Sequence, residues 1–425
     1  TEEYPWLTAE IERRAVPIIA EMLALDAGYT KEDFEKSEDL QEEYEILAKR
    51  DIRQKGYNIH TTIDKEVYDK WQEIAQNFEE YTPDFTVVRT DPETGEKVTI
   101  ENPVQPGAIL SENKTGRIIS FVAGRDFEIS ENNHATYTKR PNGSTMKPLV
   151  VYAPALEAGT LQPATPFADV KNGGPDNLAN WLPDNYTQRE YGIVDARTAL
   201  ANSYNITATR AYKEILPTRP ATYLDKMGFT SLVETEQSSD YENPSLGIGS
   251  LTVGVTVEEN TNAFATFGNM GKFVDAYMIE RIETKDGEVV YEHEPEEVEV
   301  FSPQTAYITI DMMRDVIRRG TATYLNSALD PKFRHVDWAG KTGSTENIQD
   351  TWFVATNPNV TLGSWMGYDT YDADGDGRPD EHIRLTYNAQ SNLGYSNRNV
   401  LLWARLANAA SEIRPDIMVP EQGRS

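Results

Sequence analysis

At 425 residues and 39% hydrophobic content, the chain can bury one large core and a smaller second domain. Its 69 acidic against 40 basic residues, a net charge of −29, exclude a nucleic-acid binder and electrostatic docking on an anionic membrane. Without cysteine there is no disulfide framework, thiolate nucleophile or cysteine metal site, and the five histidines show no paired metal-ligand spacing.

Residues 1–105 read as a region of their own. The opening Thr-Glu-Glu-Tyr-Pro-Trp looks like an internal position of a longer protein, and any membrane anchor is expected upstream. Ala9–Leu25 carries apolar residues at helical spacing, with Pro17 expected to kink or split the helix. A charged helix follows near Asp39–Arg53. Gly56–Asp64 has the β-branched alternation of a short strand, with Asp64 capping a helix through about Phe78. Asp91-Pro92-Glu93-Thr94-Gly95 is a hairpin turn.

A second region opens at Gln105-Pro106-Gly107, with strands at about 107–111 and 117–123 around a turn at Asn113–Gly116. A helix is predicted from Ser144 towards Leu156, stopped by Gly159. Residues 172–185 read as a long loop. Helices are predicted near Asp195–Ala201, Ile206–Glu214, Thr256–Phe267 and Pro303–Arg319. Strands follow at 338–344, 351–356 and 361–367, then a helix over Arg398–Ala410 packed on their sheet. Strands at both ends of this region, with helices between, predict an α+β domain whose sheet joins N- and C-terminal strands.

Three short patterns carry chemistry: Ser144-Thr145-Met146-Lys147, Ser203-Tyr204-Asn205 and Lys341-Thr342-Gly343. In a helix Ser144 and Lys147 share a face one turn apart, so a hydroxyl nucleophile and an amine base can share a proton. A lysine serves as a base at neutral pH only if burial or a nearby cation strips its proton, and Lys341 supplies that cation if it lies close. Ser203 can relay a proton to a leaving amine. Asn205 can hold both Lys147 and a substrate amide. Lys341 and the hydroxyls of Thr342, Ser344 and Thr345 suit a substrate carboxylate, with Gly343 leaving room for the substrate backbone. The amides of Ser144 and Ser344 are candidate oxyanion donors.

Taken singly, each pattern has a bland explanation. Ser144 alone reads as a helix cap, Lys147 as a surface lysine, Ser203 and Asn205 as turn residues, and 341–343 as a strand end. Patterns of this kind arise roughly once by chance in a chain this long. Ser111-Glu112-Asn113-Lys114-Thr115-Gly116 matches all three at once, but it is turn chemistry between strands and offers no helix face. The order, spacing and flanks of the other set argue for function.

With these residues in place, the chain resembles the transpeptidase half of class A penicillin-binding proteins. The likeness extends to Gln105–Ala108, Val122–Asp126, Leu182–Tyr186, Ala199–Ser203, Ser245–Gly249, Ala265–Asn269, Gly320–Ala322 and Asp350–Phe353. Thr256 is followed by Val257 where the family usually has proline. The 56–64 stretch is similar to the family's linker. The resemblance implies a penicillin-binding/β-lactamase-like transpeptidase fold, a central antiparallel sheet flanked by helices, over 106–425, with a small linker domain over 1–105.

It also implies a D,D-transpeptidase. Ser144 would open a D-Ala–D-Ala bond of a peptidoglycan stem peptide and pass the acyl group to an amine of a second peptide. Lys147, Ser203, Asn205 and Lys341 would assist, and β-lactam antibiotics would acylate Ser144. The family's glycosyltransferase half is outside the chain, so glycan polymerisation is not expected of it. Expected partners are stem peptides and β-lactams, with no nucleic acid and no required membrane contact. The expected location is the outer face of a bacterial cytoplasmic membrane.

No cofactor is expected, save a candidate structural calcium on Asp372, Asp374, Asp376 and Asp380, spaced like an EF-hand loop but with Ile383 at its twelfth position. The plainer reading is an exposed acidic turn. One rival is a β-lactamase or D,D-carboxypeptidase, in which Asp240 or Glu242 would activate a deacylating water. Another is a β-lactam sensor or scaffold that is acylated without cross-linking.

Overall fold

The computed structural model describes residues 3–81, 84–172, 182–370, 383–385 and 392–422. The chain forms two compact units. One comprises Thr1–Asp64 and Tyr277–Glu296, the other Lys65–Ala276 and Glu297–Ser425. The boundary expected at 105 does not coincide with this division: residues 65–105 lie in the larger unit, and a later insertion belongs to the smaller one.

In the smaller unit, Pro5–Asp26 is one helix with Pro17 inside it rather than two. Ala15, Val16, Ile19 and Ala20 are buried with Leu40, Tyr44 and Ala48 of the helix Glu38–Lys55. Burial of several such side chains outweighs the roughly 3 kcal/mol that a proline costs in a helix interior. Strand Tyr57–Thr61 pairs with Ile279–Thr284, which pairs on its other side with Val289–Glu292. Sequence patterning places the first of these strands and not the other two: Ile279–Thr284 and Val289–Glu292 form a local hairpin, but its pairing with Tyr57–Thr61 joins segments far apart in the chain.

The larger unit is built on a five-stranded antiparallel sheet in the order Ala339–Ser344, Asp350–Thr356, Val360–Tyr368, Val104–Glu112, Ile118–Val122. Its first and last strands in sequence are thus joined through the centre, as the α+β reading expects. One face buries Phe353, Leu362 and Met366 against Trp403 and Leu406 of the helix Tyr395–Ile413 and Trp71 of the helix Lys65–Asn77. The Trp403 indole donates to the Leu362 carbonyl and that of Trp71 to the Leu406 carbonyl, so these large side chains are buried with their N–H groups satisfied. Helix Val257–Gly268 packs on the other face. Its start is fixed by a capping box, in which Thr256 accepts from the Glu259 amide and Glu259 from the Thr256 amide. The motif-like hexapeptide 111–116 lies where the strand Val104–Glu112 ends in its turn, as expected. The Asp91–Gly95 turn joins the paired strands Phe85–Thr90 and Lys97–Asn102.

Candidate active site

The nucleophile segment is less regular than predicted. Gly143–Thr145 is a 3-10 turn, Lys147–Tyr152 a π-helix, and only Ala153–Ala158 is α-helical, ending at Gly159 in the left-handed region. The cause is local. Pro154 has no N–H for the Val150 carbonyl, and its ring would clash with that carbonyl in an α-helix, so the preceding turn widens.

The turn is braced from beneath by Asn142 and Asn260, which lie outside the three patterns, together with Thr145. Thr145 Oγ donates to the Asn142 carbonyl at 2.7 Å. The Asn260 amide, on the helix Val257–Gly268, donates to Thr145 Oγ and accepts from the Asn142 amide, both at 3.0 Å. All three side chains are fully buried, so the position of Ser144 is tied to the far helix of the unit.

Strand Ala339–Ser344 lies hard against this turn. A methyl on Gly343 would sit 2.9 Å from the Asn142 carbonyl oxygen and 2.9 Å from the Thr145 nitrogen. Sequence reasoning reserves that space for substrate backbone, but the nucleophile turn occupies it. The same contact brings the Gly143 backbone beside Ser344, where a Gly143 methyl would lie 3.2 Å from the Ser344 nitrogen. The two candidate oxyanion amides are therefore held in one neighbourhood.

Two buried amines flank one hydroxyl. Lys147 Nζ donates to Ser203 Oγ at 2.9 Å, to the Ser203 carbonyl at 2.7 Å and to Asn205 Oδ1 at 2.7 Å. Lys341 Nζ approaches the same Ser203 Oγ at 2.9 Å and donates to the Thr342 carbonyl. Ser203 has φ +59, a strained value for a serine, which lets it present hydroxyl and carbonyl to one amine. Burial, then the charge of Lys341, holds the Lys147 amine well below the ordinary lysine range. Burial pushes Lys341 down to about 7. A neutral Lys147 can accept the Ser203 proton while Ser203 accepts from a cationic Lys341, so one proton can be shared along the three groups. Among the described residues, the Ser144 hydroxyl makes no hydrogen bond; the pair expected between Ser144 and Lys147 is not formed here.

The remaining predicted residues divide. Thr342 Oγ shares a 2.6 Å hydrogen bond with Thr321 Oγ, and Ser344 bonds the hydroxyl of Tyr395, whose pKa burial pushes up. Thr345, expected to bind substrate, instead donates its hydroxyl to Asp350 at 2.6 Å, which uses its one donor. Asp350 also accepts from Arg140 at 2.7 Å and from the Trp365 indole at 2.9 Å. This links the end of the 339–344 strand to the residues leading into Ser144. Arg140 lies outside every motif read from the sequence, whereas Asp350 stands in a flank that carries the family resemblance.

Asp240, a candidate deacylating base, is buried and accepts from the Val233 amide and from the amide and hydroxyl of Thr252. Its oxygens are engaged in bracing its own loop. Glu242 is exposed. The acidic residues 372–380 lie outside the described residues, among which no cluster of metal ligands occurs. No helix among the described residues is long and apolar enough to cross a membrane.

One consequence of the two shifted amines is a bell-shaped pH profile for acylation by a carboxylate-bearing penicillin. The rate rises as Lys147 loses its proton and becomes a base, then falls as Lys341 loses the charge that receives the carboxylate, near pH 7 rather than 10. Second-order acylation constants between pH 4 and 10 test this; a descending limb near 10 would place Lys341 outside the buried cluster.

The penicillin binding protein transpeptidase domain profile matches residues 106–381. Penicillin-binding protein 1A of Aquifex aeolicus is 37% identical over 62% of this chain and 34% of its own length. Penicillin-binding protein 4 of Bacillus subtilis is 30% identical over 63% of this chain and 40% of its own length. The chain thus spans between a third and two fifths of these relatives. Among solved structures, penicillin-binding protein 1A of Haemophilus influenzae superposes with TM-score 0.65 at 17% identity, covering 93% of this chain and 76% of that one. PonA1 of Mycobacterium tuberculosis in complex with penicillin V superposes with TM-score 0.63 at 15% identity, covering 88% and 91%. At these identities the superpositions speak to the fold.

Proposed function

Because the chain belongs to the penicillin-binding protein transpeptidases, we propose that it is a peptidoglycan D,D-transpeptidase unit that works through an acyl-enzyme on Ser144. The observation that carries this reading is the Ser203 hydroxyl held between two buried amines, beside a turn whose serine hydroxyl makes no hydrogen bond among the described residues. Ser144 Oγ turns toward Lys147 Nζ, loses its proton there and bonds to the carbonyl carbon of the penultimate D-Ala. The amides of Ser144 and Ser344 take the oxyanion. The carbon–nitrogen bond then breaks, and the departing D-Ala amine receives the proton from Lys147 through Ser203. A second stem peptide's amine attacks the ester, the new amide forms, and Ser144 Oγ regains a proton.

Asn205 holds the base and is offered to the substrate amide; Lys341, Thr342 and Ser344 receive the terminal carboxylate. A β-lactam enters the same path, but its leaving nitrogen stays tethered to the acyl group. That Asp240 is committed to its own loop favours slow hydrolysis of this adduct over a lactamase reading. The unit would act outside the cytoplasmic membrane, where stem peptides are displayed.

Labelled penicillin followed by peptide mass spectrometry tests this directly. The expected result is one stable acyl group, on Ser144. Label on Ser111, or none at any pH, would sink the assignment; rapid turnover without an adduct would favour the hydrolase.

A further inference from the structure

Asp169, at the end of the strand Pro166–Asp169, is a fully buried carboxylate in no motif. Its oxygens accept from Thr207 Oγ at 2.9 Å, the Thr207 amide at 3.3 Å, the Asn185 amide group at 2.7 Å and the Tyr191 backbone at 3.1 Å. Such a donor set satisfies the oxygens of a buried carboxylate. Asn185, also buried, passes the connection on. Its Oδ1 accepts from the amides of Asn205 at 2.8 Å and Ile206 at 3.2 Å, at the N-terminus of the helix Asn205–Ile215. Asn205 then accepts from Lys147 at 2.7 Å. An unbroken chain of hydrogen bonds runs from Asp169 to the proposed base.

We propose that Asp169 is a positioning residue of the acylation step: wired through Asn185, it fixes the Asn205 acceptor that holds the Lys147 amine, and its negative charge sets how readily that amine takes the Ser144 proton. The inference rests on the reading of Ser144 and Lys147 given above. Asp169 raises the affinity of Lys147 for a proton, opposing burial and Lys341, which lower it. Among the described residues, the ionisable groups on segments around the carboxylate include Tyr152, Arg189, Glu190, Tyr191, Tyr204 and Arg210, with Lys171 paired to Asp184 nearer solvent. Without the carboxylate, Lys147 would stay neutral to lower pH, in an amine pocket with a loosened Asn205.

The test is the pH profile of Ser144 acylation by labelled penicillin in the wild type and Asp169→Asn, which keeps the shape and removes the charge. The ascending limb should move by about one unit toward acid, the scale of a nearby charge on a buried lysine, and the rate at the optimum should fall about 10-fold. A superimposable profile, or a uniform fall with the limb unmoved, overturns the role. Asn185→Ser leaves the charge and cuts the bridge; it should lower the rate with the limb in place. A wild-type rate in that variant overturns the wire even if Asp169→Asn does not fold. Wild-type protein that takes no label on Ser144 would instead sink the underlying reading, so the two failures are distinguishable.

Discussion

Replacing Lys147 by alanine should slow acylation of Ser144 by about 10³-fold, within the range general-base catalysis contributes. The side chain is fully buried and gives three hydrogen bonds, to Ser203 and Asn205. Alanine removes the proposed proton acceptor and leaves two part-buried oxygens, the Ser203 carbonyl and Asn205 Oδ1, without this donor. The second effect costs stability, on the order of 1–3 kcal/mol for each orphaned group. Lys147→Met, which fills the space without an amine, separates the two: it should melt closer to the wild type and show the same kinetic loss. Stopped-flow measurement with a chromogenic β-lactam reads both variants. An acylation rate within 10-fold of the wild type in the methionine variant would remove Lys147 from the role of base.

The second large effect is expected at Gly143, where sequence reasoning assigned nothing. Its φ is +52, and an added methyl would lie 2.4 Å from the Ser344 carbonyl oxygen. A left-handed conformation costs a residue with a side chain about 1–2 kcal/mol. The clash is with backbone, and no rotamer relieves it. The turn is wedged on the other side too, since a methyl on Gly249 would meet the Gly143 carbonyl oxygen at 2.0 Å. Gly143→Ala must therefore push the 339–344 strand away from Ser144. A displacement on the order of 1 Å between nucleophile and oxyanion donor costs about 10²-fold in rate.

Gly287→Ala is the control. It has φ +86 and open space within 4 Å, so it carries the strain without the clash and should acylate normally. Equal rates for Gly143→Ala and the wild type would show that the strand and turn are not in rigid register.

The fold was legible where local patterns are strong. The sheet strands, the Asp91–Gly95 turn and the helices at 196–201, 257–268 and 303–318 follow from alternation, capping residues and helical spacing. Two things escaped. The π-helix after Ser144 arises because Pro154 strips one partner from the preceding turn, a compromise between two adjacent segments that a single helical pattern does not encode. The insertion of 277–296 into the smaller unit depends on the pairing of Ile279–Thr284 with a strand some two hundred residues earlier. In the site, Asn260, Arg140 and Asp169 went unread because each acts by position alone. An asparagine on a helix, an arginine before a turn and an aspartate at a strand end have nothing in their spacing to mark them.

The sequence by itself pointed to the reacting groups we propose, one hydroxyl, two amines, a serine and an asparagine, in an order suited to acyl transfer, and its lack of cysteine excluded thiol chemistry. The tertiary structure decided their protonation and their reach. In water the Lys147 amine would be protonated and closed to a further proton; it becomes an available base only where packing removes solvent and brings Lys341 to the same Ser203 hydroxyl, across 56 and 138 residues of chain. Desolvation and Coulomb energy depend on which surfaces meet, and no spacing along a chain expresses that.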